Sequence, residues 1–387
     1  MDEYLIGGLI GAIIGYVVSI TLDSFKKYVR DFFKAKKTYK QIGNLSKLRF
    51  VNDAGYLAID HAIPMYKDEN ISLKSSETEL IIEVPESYKE RLKSLNFEIR
   101  KSTYIGMERK LKEAFSFLNL PDYQQIINQT ALEVAEMFLQ ELQYGAIRFN
   151  GKLFGIENIR LNRFSIKEEA SLSVLFYNTD YFTFRVFAEI YKKHQNKFNI
   201  NSIQDLNKLT PFLSSFGLGN FIIVNDGKQD MVLLAHRSGN VIVDRNLLHY
   251  SMNEAFSLLD IDEFGNPSFT SCLFRGLKEE LGIDEKYKSK ITMYGFLDLG
   301  MDINRMEVGI SSFARIKFDS FFTPTLLEEL YSIAQDRELE TKKLEFVPID
   351  DLDIYINRNK DKMSAGCKAT LRSLLVRYKN GYINREN

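Results

Sequence analysis

Two cysteines in 387 residues, Cys272 and Cys367, have no metal-ligand spacing between them. That excludes a disulfide scaffold and a thiolate metal centre, and predicts reduced, buried thiols in a cytosolic body. Neither a Ser-His-Asp set nor a phosphate-cradling Gly-Lys-Ser/Thr loop is present, so acyl transfer and P-loop chemistry have no basis. His61 and His194 are isolated. The net charge of −1 lacks the concentrated positive excess of a duplex-binding protein. Internal repeats and low-complexity linkers are absent as well.

What is there begins at the amino terminus. Tyr4 through Leu22 is an uncharged run, long enough at about 1.5 Å per residue to approach the roughly 30 Å hydrocarbon core of a bilayer. It predicts one transmembrane helix over residues 1–24. Gly7, Gly11, Gly15 and Ser19 recur every four residues, giving one face without bulk where a second copy of the helix packs closely. Asp2 and Glu3 precede the run, and Lys26, Lys27, Arg30, Lys34, Lys36, Lys37 and Lys40 follow it. Basic excess marks the cytoplasmic side, so the expectation is a single-pass protein of the inner membrane with its carboxy-terminal body in the cytoplasm. An acidic start, with Asp23-Ser24-Phe25-Lys26 after the run, does not fit a cleaved signal peptide. Residues 25–43 read as a basic juxtamembrane segment in contact with anionic lipid headgroups.

Beyond it, residues 44–210 mix strand and helix patterns. Tyr56 to Ile63 and Leu80 to Val84 read as strands, Pro85 opens a helix, and Tyr123 to Leu142 reads as a longer amphipathic one. Leu172 to Phe176 and Tyr181 to Phe187 read as strands joined by a turn at Asn178-Thr179-Asp180. In residues 211–387, Asn225-Asp226-Gly227-Lys228 between Phe221–Val224 and Met231–His236 is a hairpin signal. Val241 to Val243, Ile291 to Leu297, Glu307 to Ile316 and Leu344 to Val347 are strand-like, whereas Pro324 to Ile333 and Ala365 to Tyr378 are helical. The fold class expected is α+β: a transmembrane helix, a mixed middle region and a compact carboxy-terminal domain.

That domain carries Arg275-Gly276-Leu277-Lys278-Glu279-Glu280-Leu281-Gly282-Ile283. The run resembles the second half of the Nudix box, Arg-Glu-U-x-Glu-Glu-x-Gly-U, where U is aliphatic. Arg275, Leu277, Glu279, Glu280, Gly282 and Ile283 match. Gly276 stands where the family has glutamate, and the family's upstream glycine and glutamate fall on Ile261 and Pro267. Three carboxylates on one helix face are what holds Mg²⁺ against a diphosphate; here two remain. The same residues also fit an ordinary amphipathic helix with a glycine stop, Leu277 and Leu281 facing the core. Glycine at 276 is expected to leave room for part of a bulky ligand.

The resemblance implies a Nudix-like α/β/α sandwich over residues 211–387. Joined to one membrane helix, the layout is similar to the SMODS-associated Nudix proteins, transmembrane effectors of cyclic-oligonucleotide antiphage systems (CBASS). It implies a receptor whose partners are membrane lipid, copies of itself and a cyclic oligonucleotide made by a nucleotidyltransferase, with binding promoting oligomerisation, membrane disruption and cell death. On this reading Arg237, Arg245, Arg275, Gly276, Glu279 and Glu280 are ligand-binding candidates, and Glu279, Glu280 and Glu340 are candidates for metal. The alternatives are a membrane-tethered, Mg²⁺-dependent hydrolase of nucleoside diphosphate derivatives, using Arg275, Glu279 and Glu280, and a membrane scaffold that binds protein only.

Overall fold

The structure, a computed structural model, describes residues 55–60, 64–145, 149–162, 169, 171–200, 202–225, 227–239, 241, 244–335 and 341–383. The apolar run with Gly7, Gly11, Gly15 and Ser19, the basic segment, and Glu340 lie outside the described residues. Within them, no helix is long and apolar enough to cross a membrane.

The described chain is a mixed α+β fold built on two sheets. The larger runs in the order β1 (Tyr56–Asp60), β9 (Ile291–Asp302), β10 (Glu307–Lys317), β5 (Phe216–Asn225), β6 (Asp230–Arg237) and β11 (Thr341–Pro348), with β7 (Leu248–His249) on β6 and β8 (Met252–Ala255) on β5. Its centre is the parallel pair β5 and β10, in register from Phe216 opposite Val308 to Asn225 opposite Lys317. Period-two alternation divides β5 between two cores: Phe221 and Ile223 face one side, and Ile222 and Val224 the other. A strand buried on both faces reads as a near-continuous apolar run, as Phe221-Ile222-Ile223-Val224 does.

Helix α9 (Ala365–Lys379) and helix α8 (Leu352–Arg358) cover the first face. A buried ion pair between Arg377 Nη2 and Asp298 Oδ1, 2.8 Å apart, fixes α9 to β9. Helix α6 (Phe269–Leu281) and helix α7 (Pro324–Ser332) cover the second.

The smaller sheet, β2 (Ile71–Glu79), β4 (Ser171–Asp180) and β3 (Lys152–Asn162), belongs to the middle of the chain. Around it lie α1 (Glu86–Lys93), α2 (Glu108–Phe117), α3 (Tyr123–Gln143), α4 (Tyr181–Lys193) and α5 (Ile203–Lys208). The core is continuous across residue 210. Phe176 meets Phe216 edge-on at 5.6 Å, Phe154 meets Phe256 at 5.0 Å, and Phe216 stacks on Phe269 of α6 at 5.2 Å; each such pair contributes about 0.5–1.5 kcal/mol beyond its buried area. Backbone bonds from Phe154 N to Phe256 O and from Ile156 N to Leu213 O cross the same boundary. Strand β1, from before the small sheet, completes the edge of the large one.

Two sequence expectations need correction, and a third falls mostly outside the described residues. Tyr181 to Phe187 is the first half of α4, because Asn178-Thr179-Asp180 ends β4 rather than forming a turn and Asp180 Oδ1 caps the helix, accepting from Thr183 N at 2.8 Å. Leu80 to Val84 is extended and buried but forms no strand beyond a bridge of Ile81 to Thr103; Ile82 N instead donates to Thr183 Oγ1. Val241 is a bend, and residues 242–243 lie outside the described residues.

Candidate functional site

Helix α6 begins at Ser268, whose Oγ accepts from Ser271 N at 3.1 Å. It ends at Gly282 in a left-handed conformation (φ 70°), with Gly282 N bonded to Lys278 O and Ile283 N to Leu277 O. The Gly282 N to Lys278 O bond with a left-handed glycine is the αL stop and explains the glycine that ends the run. Leu277 and Leu281 are buried, as the amphipathic pattern predicts.

The polar face of α6 is tied into the protein itself. Arg275 Nε and Nη2 grip the two oxygens of Asp260 at 2.7 and 3.0 Å, Nη1 reaches Glu254 Oε2 and Glu279 Oε2 at 2.8 Å each, and Nη2 also donates to Ala255 O. Asp260 is 1% exposed, so the fork neutralises a carboxylate shielded from solvent. Burial works against the arginine's charge, but its bonds to Asp260 and the charge of Glu254 more than offset that and raise its pKa. Glu280 is buried, and its Oε1 accepts from Asn253 N at 2.8 Å, pinning α6 to β8.

Gly276 faces no open space. A methyl group there would lie 2.5 Å from Met252 Sδ and 2.5 Å from Glu254 Cγ. The room expected for a ligand is filled by β8, and glycine is present because helix and strand touch. Ile261 and Pro267, at the positions of the missing upstream residues, form an isolated antiparallel bridge to one another. The donors do not fit Mg²⁺: Glu279 is engaged by Arg275, Glu280 by a backbone amide, and position 276 has neither a carboxylate nor space for one. Among the described residues no group of three or more His, Cys, Asp or Glu is arranged to hold a metal ion.

Arg237 and Arg245 stand apart from this knot. Arg237 ends β6, and Arg245, exposed, donates from Nε to Val241 O at 2.5 Å. Neither lines the cleft that sequence reasoning missed, although Arg237 is near enough for its charge to act on Asp244 and His249, which do. The floor of that cleft is glycine: Gly217 and Gly219 of β5, Gly300 of β9, Gly309 of β10 and Gly366 of α9. These positions are 149 residues apart at their extremes, so no local spacing signals them. Two tyrosine rings fill what the glycines leave. A side chain on Gly219 would come within 2.8 Å of the Tyr250 ring, and one on Gly300 would overlap the Tyr56 hydroxyl.

The rim is charged. Arg305 Nη2 lies 2.8 Å from Asp302 Oδ2, and its Nη1 lies 3.2 Å from Glu307 Oε2, which makes the guanidinium a bridge between two carboxylates. Burial raises the Asp302 pKa, with Arg305 opposing. His249 is 5% exposed; burial lowers its pKa to about 4 although Asp244, 3.5 Å away, favours the charged form. The imidazole is therefore neutral at physiological pH. Asn253 also lines the cleft, so β8 separates the two sites: its backbone holds the box helix on one side and its residues border the glycine floor on the other. The free space in the cleft is about 60 Å³, far below the roughly 300 Å³ of an open ligand pocket.

Fold and site together define a mixed-sheet sandwich with a sealed box helix and a glycine-floored polar cleft. No family model and no curated protein matches the chain. The solved structures it is similar to are Nudix proteins. The Nudix domain of NrtR from Shewanella oneidensis, complexed with ADP ribose, is 14% identical over 42% of this chain and 87% of its own, with a TM-score of 0.26. An Ap4A hydrolase from C. elegans is 13% identical over 44% and 99% with a TM-score of 0.27, and a mutT/nudix family protein from Listeria innocua is 11% identical over 44% and 98% with a TM-score of 0.27. Likenesses at this level of identity and overlap carry no argument about activity or ligand.

Proposed function

We propose that this chain is a membrane-anchored nucleotide receptor in which residues 211–387 form a Nudix-like sensor that binds without hydrolysing. The observation that carries it is the consumption of the box helix by its own fold: Arg275 holds Glu254, Asp260 and Glu279, and Gly276 packs on Met252. A polar cleft persists across β8, where a ligand can be read without metal. Its rim sets the orientation of that ligand. Asp244, Asp302 and Glu307 line the interior with Arg305, so an uncharged base is better received there than phosphates, which stay toward the outside, where the charge of Arg237 also acts on Asp244 and His249.

In the full reading, the ligand is a cyclic oligonucleotide supplied by a partner nucleotidyltransferase, as in CBASS. Binding raises the local density of chains at the inner membrane, helices associate through Gly7, Gly11, Gly15 and Ser19, the bilayer is disrupted and the cell dies. A ligand drives this only through a higher affinity for the assembled state. The test is titration of the full-length protein in liposomes with cyclic di- and trinucleotides and ADP ribose, following binding, leakage and phosphate release together. Binding with leakage and no product supports the receptor. Product formation that Glu280→Gln abolishes supports the hydrolase instead, and binding of none removes the nucleotide reading.

A further inference from the structure

The cleft already contains a ring. Tyr56 comes from β1, and its hydroxyl sits where any side chain on Gly300 would be. A methyl on Gly366 would meet Tyr250 Oη at 3.1 Å and Tyr56 Cδ2 at 3.5 Å, so the two tyrosines converge over one glycine. They are held very differently. Tyr250 is wedged against Gly219 and the Phe221 ring, 4.9 Å away, with its Oη 3.0 Å from Thr370 Oγ1 of α9. Tyr56 belongs to a five-residue strand at the end of the sheet, paired among the described residues with β9 alone, with its register broken between Ala58 and Asp60 and four of its five residues half-buried. Short, bulged edge strands belong to the least stable part of a fold.

We propose that Tyr56 is a built-in occupant of a ring-binding slot, and that a nucleobase enters by displacing it and freeing β1 from β9. This rests on the receptor reading above. With Tyr56 removed, Tyr250 forms one wall, Gly300 and Gly366 leave a flat surface opposite, and the 60 Å³ remnant gains the volume of a phenol. Tyr250 then offers a π-face for stacking. Interior strand glycines weaken a strand, and here the weakness at Gly300 is offset by the tyrosine lying on it. Strand β1 follows in sequence the segment read as anchor and juxtamembrane stretch, so its release passes occupancy of the cleft to the membrane side.

Two experiments on the full-length protein test this. The first is ligand-free cavity rescue: p-cresol, the tyrosine side chain as a free molecule, should raise the melting temperature of Tyr56→Ala and leave wild type unchanged. No difference between the two overturns the slot. The second is a staple across the Leu57–Met301 register. In Leu57→Cys/Met301→Cys, cyclic di-AMP and ADP ribose should bind about tenfold or more weakly in the oxidised than in the reduced form, since the competent state is then excluded. Reduction of the same sample controls for folding. Equal affinity in both forms overturns displacement while leaving the receptor intact; p-cresol rescue with no nucleotide binding to any form overturns a base as the competitor and removes the receptor reading with it.

Discussion

Two acidic clusters flank strand β8, and each surrounds an arginine. Around Arg275, Asp260 is buried, the guanidinium is gripped from several sides, and Gly276 brings helix and strand into contact. Around Arg305, Asp302 and Glu307 share the cation at the edge of unfilled space. The same residue types therefore serve opposite ends: one cluster is a structural knot, the other a rim that a solute can reach. Chemistry suggested by a motif follows the residues only where the packing leaves them accessible.

The knot should be the costlier to break. Arg275→Ala leaves Asp260 buried without its cation, and the expected loss is about 3–5 kcal/mol, read as a fall in the urea midpoint; a loss under about 1 kcal/mol would show the cluster to be solvated. At the rim, the lowered pKa of His249 has a definite sign. Between its ordinary value and the folded value of about 4, the unfolded chain binds the extra proton, so stability is present above about pH 6.5 and is lost as pH falls toward 4. The contribution is about 3 kcal/mol. Urea unfolding across that range should slope less in His249→Gln than in wild type.

Smaller effects sharpen the contrast. Gly276→Ala pushes a methyl onto Met252 Sδ and should cost about 1–3 kcal/mol, and Gly276→Glu should destabilise without creating phosphate release. Arg245→Ala, at an exposed position outside the cleft lining, should shift the urea midpoint by less than about 0.5 kcal/mol.

Much of the carboxy-terminal fold was legible. The hairpin strands around Phe221–Val224 and Met231–His236, the apolar run of β5, the leucine spacing of α6 and its glycine stop are local signals, and each lies where the structure has it. Helix α4 was not, because Tyr181-Phe182-Thr183-Phe184 is a strand-favouring run whose fate is decided by the cap at Asp180. Buried Val186, Phe187, Ile190 and Tyr191 at helical spacing were the signal that could have found it. The site was less legible than the fold. Arg275 was readable as a box residue, but its partner Asp260 lies fifteen residues upstream in a loop, and Tyr56 meets Gly300 only because β1 closes the sheet edge. Contacts of such separation leave no mark in any window of sequence.

Binding at the glycine floor, with no metal chemistry at the box helix, can be checked in one calorimetric titration of the full-length protein with cyclic di-AMP, cyclic trinucleotides and ADP ribose, run once in Mg²⁺ and once in EDTA. One ligand should bind with the same affinity in both buffers and be recovered intact. Binding that requires Mg²⁺, or a ligand recovered as cleaved products, would contradict a metal-free receptor.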